Sequence, residues 1–152
     1  MPLYLEDLEA GMRYAGRKTW TLDAEQIKAF ATDFDPQPFH LDDGAARSTL
    51  FGGLAASGWH TAALTMRLTI DGGPQLASGT VGLGADLNWL KPVRPGDTLS
   101  IETEVLEVKP SKSRPDRGRV TLRTETRNQR GETVQVCVSK LLVPRRSPAS
   151  GC

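Results

Sequence analysis

The chain has 152 residues, a formal net charge of +1 and 24% charged residues. That length suits one domain with a sizeable core, and the near-neutral balance excludes the strongly basic footprint of a nucleic-acid or anionic-membrane binder. No basic leader precedes an apolar stretch and no apolar run is long enough to span a bilayer, so the sequence predicts a cytoplasmic protein. Two cysteines offer no disulfide framework. Cys137 reads as a small apolar filler in a strand, and Cys152 ends a loose tail, residues 147–152, that follows a single domain over residues 1–146.

In chain order, residues 2–11 read as a lead-in turn and Met12–Leu22 as a strand. Thr21 or Asp23 can cap a helix in which Ala24, Ile27, Phe30 and Ala31 recur at helical spacing. That helix must stop before Pro36. Asp35-Pro36-Gln37-Pro38-Phe39-His40 follows. Proline fixes its own φ and pushes the preceding residue out of the helical region, so Asp35 and Gln37 are expected to be extended and the segment to be a rigid arm. An acid and a histidine held on such an arm suit a general acid–base pair. The alternative is an aspartate that ends a helix beside a structural histidine. Asp42 and Asp43 read as caps of a short helix. The uncharged run Phe51-Gly52-Gly53-Leu54-Ala55-Ala56 suggests close backbone approach. Ser57–Ile70 reads as a helix with almost no charge before Arg67, and therefore as buried. Asp71-Gly72-Gly73-Pro74 ends it.

Beyond Pro74 the period becomes two. Val81–Trp89, Leu99–Val108, Val120–Thr126 and Val134–Val143 read as four strands. Asn128–Gly131 makes a hairpin turn, and the opposite phase of Leu141 and Val143 relative to Val138 predicts a bulge near Lys140. Lys109–Gly118 reads as a polar loop. The basic stretch Lys112 to Arg119, with Lys112, Arg114, Arg117 and Arg119, is that of a solvated face, with contact to the phosphates of a ligand as the alternative. The fold class is α+β, an antiparallel sheet with segregated helices. A single sheet covers its central helix on one side only, which predicts a homodimer.

Asp35-Pro36-Gln37-Pro38-Phe39-His40-Leu41-Asp42 resembles the D-x-N-P-x-H-x-D signature of the MaoC-like dehydratases, which include the R-specific enoyl-CoA hydratases. The likeness extends to Ala29-Phe30-Ala31, to Phe51-Gly52-Gly53, to the helix start Ser57-Gly58 and to the turn Lys91-Pro92-Val93-Arg94-Pro95-Gly96-Asp97, so it covers roughly Gly11 to Pro144. The resemblance implies a hotdog fold, a bent antiparallel sheet wrapped around a long helix and usually paired into dimers. It implies an acyl-CoA partner and hydration of trans-2-enoyl-CoA or dehydration of (R)-3-hydroxyacyl-CoA. Asp35 and His40 then form the catalytic pair, with Asp33 a weaker competitor for the acid. The chain departs from the family at Gln37, where Asn is usual, at Ser57, where His is usual, and at Phe39, an extra aromatic beside His40. These departures bear on acyl specificity and leave the acid–base pair intact.

Addition of water to such a thioester places negative charge on the carbonyl oxygen. The Gly58 N–H, at a helix start, is the candidate donor to it, and glycine there keeps a Cβ out of the thioester's way. Gln37, Phe39, Phe51, Ser57 and Trp59 are candidate substrate-binding residues, whereas His60 reads as structural. No metal-ligand spacing is recognisable and no cofactor is expected. A hotdog acyl-CoA thioesterase and a non-catalytic acyl-CoA-binding or scaffold module are the alternatives.

Overall fold

The computed structural model describes residues 1–146. A 3-10 turn at Leu5–Asp7 precedes β1 (Arg13–Ala15), β2 (Trp20–Thr21) and α1 (Ala24–Phe34). Two short helical turns, α2 (Pro38–Leu41) and α3 (Asp43–Ala46), lead to the long helix α4 (Gly58–Gly72). Four strands complete the chain: β3 (Val81–Trp89), β4 (Thr98–Pro110), β5 (Arg117–Arg127) and β6 (Thr133–Pro144). The sheet is antiparallel in the order β1-β4-β5-β6-β3, and β2 pairs with the first residues of β4.

The single strand expected over Met12–Leu22 is two strands on one edge of β4. Between them the Gly16 N–H donates to the Ile101 carbonyl at 2.8 Å, while the Arg17 N–H turns away to the Gly72 carbonyl at 3.0 Å. The segment thus joins the sheet edge to the end of α4. In β5 every second residue is buried, through Val120, Leu122, Thr124 and Thr126, and in β4 Leu99, Ile101, Thr103 and Val105 match them. Helix α4 meets this face with Thr61, Leu64, Thr65 and Leu68.

Three expectations need correction. The phase change in β6 lies at Val134 and not near Lys140. Thr126 pairs with Gln135 while Arg127 pairs with Thr133, so Val134 is the extra residue. The irregularity opposite Lys140 belongs to β3, where Leu83 is extra between Gly82 and Gly84. From Gln135 onward the odd residues Gln135, Cys137, Ser139 and Leu141 line a cavity of about 400 Å³ between α4 and the sheet. The valines looked like core because they are apolar, but the inner face here carries small and polar side chains that leave space. Cys137 is half-buried on that cavity and does not fill a core.

Secondly, α4 is not buried all round. Trp59, Met66 and Ile70 are 59%, 51% and 50% exposed. Strand β3 is an open edge on which only Leu87 is half-buried. Thirdly, β4 and β5 run further than expected, so the basic loop shrinks to Ser111–Asp116. The tail 147–152, with Cys152, lies outside the described residues. No helix among the described residues is long and apolar enough to cross a membrane.

Candidate active site

Asp23 caps α1 by accepting from the Gln26 N–H at 2.8 Å, and the helix ends at Phe34, two residues before Pro36. Gln37 is extended, at φ −102° and ψ 150°. The rigid arm stops there. Pro38 occupies the first position of α2, where its fixed φ suits a helix and its missing N–H costs nothing. His40 therefore rides on a helical turn and not on an extended arm. That turn brings the ring back towards Asp35. His40 Nε2 lies 3.3 Å from Asp35 Oδ2, and the imidazole is buried.

The hydrogen bonds decide the tautomer. His40 Nδ1 lies 2.6 Å from the Ala55 carbonyl oxygen. A carbonyl only accepts, so Nδ1 carries a hydrogen and Nε2 is the nitrogen that faces Asp35. Asp35 Oδ2 also accepts from Ser57 Oγ at 2.7 Å, and Oδ1 accepts from Gln37 Nε2 at 2.5 Å. Partial burial pushes the Asp35 carboxyl upward, but the bonds from Gln37 and Ser57, together with the charge on His40, outweigh it and hold the group below the usual aspartate range. Asp35 is thus an anion at neutral pH. Ser57 is also the N-cap of α4, accepting from the Trp59 N–H at 3.3 Å, so the anion is tied to the positive end of the long helix.

His40 lines a cavity of about 250 Å³ with Phe51, Gly58, Thr61, Trp89 and Pro92. Gly58 is the first residue of α4, a position whose N–H has no partner within the helix. Glycine is required here for a reason the sequence did not suggest. A Cβ on Gly58 would lie 2.6 Å from Cε2 of Trp89, so it is the indole that occupies the space.

Three comparisons with known proteins bear on this arrangement. The MaoC like domain matches residues 7–128. The chain belongs to the MaoC-like dehydratase family. A crystal structure of the MaoC-like dehydratase from Rhodospirillum rubrum superposes with a TM-score of 0.93 at 57% identity, covering 96% of this chain and 99% of that one. The R-hydratase PhaJ1 from Pseudomonas aeruginosa does so with a TM-score of 0.73 at 29% identity, covering 95% and 88%. A 3-hydroxybutyryl-CoA dehydratase from Methylorubrum extorquens is 34% identical over 114 residues, 74% of this chain and 69% of that protein. The sheet and helix described above are the hotdog fold of this family.

Within this MaoC-like chain the candidate substrate-binding residues divide. Phe51 lines the cavity. Phe39 stands edge-on to His40 at 4.6 Å and against Phe51 at 4.9 Å, a prop for both rings. Gln37 and Ser57 spend their polar groups on Asp35. Trp59 projects outward and meets the edge of Trp89 at 5.2 Å. Asp33 is exposed on the last turn of α1. His60 is buried and stacks on Phe30 at 4.5 Å with the rings within 4° of parallel. Its Nδ1 has no hydrogen-bond partner among the described residues, and burial pulls its pKa down, so the ring is neutral. The loop 111–116 sits at the far end of β4 from the turn Arg94–Asp97, roughly 40 Å away at the ordinary rise of a strand. In one protomer its cations are therefore remote from His40.

Four residues of this MaoC-like site escaped the sequence pattern. Arg94 donates to the carbonyls of Phe51, Gly53 and Leu54, the last two at 2.9 and 3.2 Å. It is the partner that the close approach of residues 51–56 anticipated. Asp97 accepts from the Arg94 N–H at 2.8 Å and holds the turn. An arginine inside a Pro/Gly turn was the available signal. Trp89 and its partner Gln135 carried no signal, because each looked like an ordinary strand residue.

Proposed function

We propose that this MaoC-like protein is a hydro-lyase that adds water to trans-2-enoyl-CoA or, in reverse, dehydrates (R)-3-hydroxyacyl-CoA. The observation that carries the reading is the 3.3 Å approach of His40 Nε2 to the Asp35 carboxylate. With Nδ1 committed to Ala55, a hydrogen must lie between Nε2 and the carboxylate, either one on the ring or one donated by a water held at the pair. A water so held has one proton drawn towards a base and its oxygen lone pairs free to attack C3. The same pair then returns the proton to C2, so the atoms of water are conserved across the double bond. Negative charge on the thioester oxygen is met by the Gly58 N–H with the α4 dipole behind it. The hydratase and dehydratase names among the relatives support the same reaction class.

The open β3 edge and the exposed flank of α4 support a homodimer as the working form. Loss of enoyl absorbance across a panel of trans-2-enoyl-CoAs tests the reaction. Hydration by the natural chain, reduced at least about a hundredfold in both Asp35→Asn and His40→Gln, is the expected result. Release of free CoA thiol without hydration would make it a thioesterase, and silence in both assays would point to a binding module.

A further inference from the structure

We propose that Trp89 sets the acyl-chain length this protein accepts, by closing the cavity at His40 off from the larger apolar cavity beyond it. The proposal rests on the acyl-CoA hydro-lyase reading above.

No described residue lines both cavities; Trp89, which lines the smaller, is hydrogen-bonded to Gln135, which lines the larger. Thr61 lines the smaller one and Thr65 the larger, and these are successive turns on one face of α4. Trp89 lines the smaller and Leu87 the larger, and these are alternate residues on one face of β3. The larger cavity therefore lies beyond Gln135, with Trp89 on the side towards His40. The smaller, at about 250 Å³, falls below the roughly 300–1,000 Å³ of ordinary small-molecule pockets, whereas the larger, at about 400 Å³, could hold a substantial alkyl chain.

The indole is anchored from both sides. On one side it lies against Gly58, where a Cβ would stand 2.6 Å from the ring. On the other, Trp89 Nε1 donates to Gln135 Oε1 at 3.0 Å. The orientation of Gln135 is itself determined. The Thr65 hydroxyl lies 2.9 Å from the Thr61 carbonyl, which can only accept, so Thr65 spends its one hydrogen there. Its lone pairs must then receive donors. Gln135 Nε2 supplies one at 3.0 Å and Thr126 Oγ1 the other at 2.6 Å. With its NH₂ committed to Thr65, Gln135 presents its carbonyl oxygen to Trp89. Gln135 and Thr126 are fully buried and Thr65 nearly so. The ring itself is 44% exposed on the open β3 edge, and what holds it is this buried network, because its departure leaves the Gln135 oxygen unpaired. Trp89 is thus the end wall for an acyl chain lying along Thr61, and such a wall favours a four-carbon acyl group over an eight-carbon one.

The test compares kcat/KM for trans-2-butenoyl-CoA and trans-2-octenoyl-CoA in the full chain and in Trp89→Ala, Trp89→Leu and Gln135→Leu. The natural chain should prefer the four-carbon substrate by about tenfold or more, since each methylene refused by an apolar pocket counts for about that much. Trp89→Ala should raise the eight- to four-carbon ratio at least about tenfold, chiefly through KM for the longer substrate. Gln135→Leu keeps the ring but removes its anchor, and should move the ratio the same way by less. Trp89→Leu fills more of the space and replaces the alanine variant should that one not fold. An unchanged ratio in a folded Trp89 variant would overturn the proposal, as would a natural chain that already turns over both substrates equally. A natural chain inert towards both would overturn the hydro-lyase reading and this proposal with it; turnover of butenoyl-CoA with no change in ratio would sink the wall alone.

Discussion

The two flanks of α4 are built in opposite ways. On the flank towards α1 and the 51–56 segment, backbone and side chains are cross-braced: Ser57 ties Asp35 to the helix start, Ala55 fixes the His40 tautomer, and Arg94 holds three carbonyls at once. On the flank towards β3, Met66 and Ile70 face outward, the strand is an open edge, and a cavity lies beneath it. One helix therefore serves as the rigid base of a polar corner and as the wall of an unfinished apolar space. The corner needs its atoms placed within tenths of an ångström, which one chain can do for itself. The other flank needs only apolar cover, which a second copy or a substrate's hydrocarbon can supply.

The largest expected effect lies on the braced flank. Asp35→Asn keeps the shape and the Ser57 contact but removes the anion, and activity should fall at least about a hundredfold while the thermal midpoint stays close to that of the natural chain. Equal loss of stability and activity would make the corner structural. Because Asp35 is held below the usual aspartate range, the acid limb of kcat/KM should lie below that range as well.

Gly58→Ala joins the two flanks. Its Cβ meets the Trp89 ring, and overpacking of this kind costs about 1–3 kcal/mol by urea denaturation. Adding Trp89→Leu should recover part of that loss, a non-additivity that only direct contact explains. On the open flank, Leu83→Lys places a charge at the irregularity of the β3 edge and should shift the protein from dimer to monomer in light scattering. An unchanged mass would show that copies meet elsewhere.

The smallest effect is a pH dependence at His60. Its folded pKa is depressed by burial, so the unfolded chain binds the proton more readily. The contribution of the neutral ring is complete above the unfolded pKa of about 6.5 and is lost as pH falls through and below it. His60→Phe keeps the stack on Phe30 and removes the unpartnered Nδ1, so it should gain about 1 kcal/mol and flatten the decline between pH 7 and pH 5. A variant as pH-sensitive as the natural chain would place the titration elsewhere.

Much of the braced flank was legible because its signals are local. Proline stops α1, aspartate caps it, and Ser57-Gly58 marks a helix start. The acid–histidine pair followed from those signals, though Pro38 started a helical turn where an extended arm was expected, because a proline suits the first position of a helix as well as it suits an extended chain. The open flank was less legible. Val136 and Val138 looked inward until the extra residue at Val134 reversed the register, and a bulge leaves no mark in the residue pattern when both faces carry apolar side chains.

By itself the sequence determined most of the elements, the antiparallel α+β class and the acid and histidine that the fold brings together, since capping, proline geometry and two-residue alternation act over a few residues. The tertiary structure alone decided which nitrogen of His40 carries hydrogen, why residue 58 is glycine, and that Trp89 stands between two cavities. Each of these depends on atoms far apart in the chain: Ala55 against His40, Trp89 against Gly58, Gln135 against Trp89. A contact across 15, 31 or 46 residues is set by the packing of whole elements, and no local pattern records it.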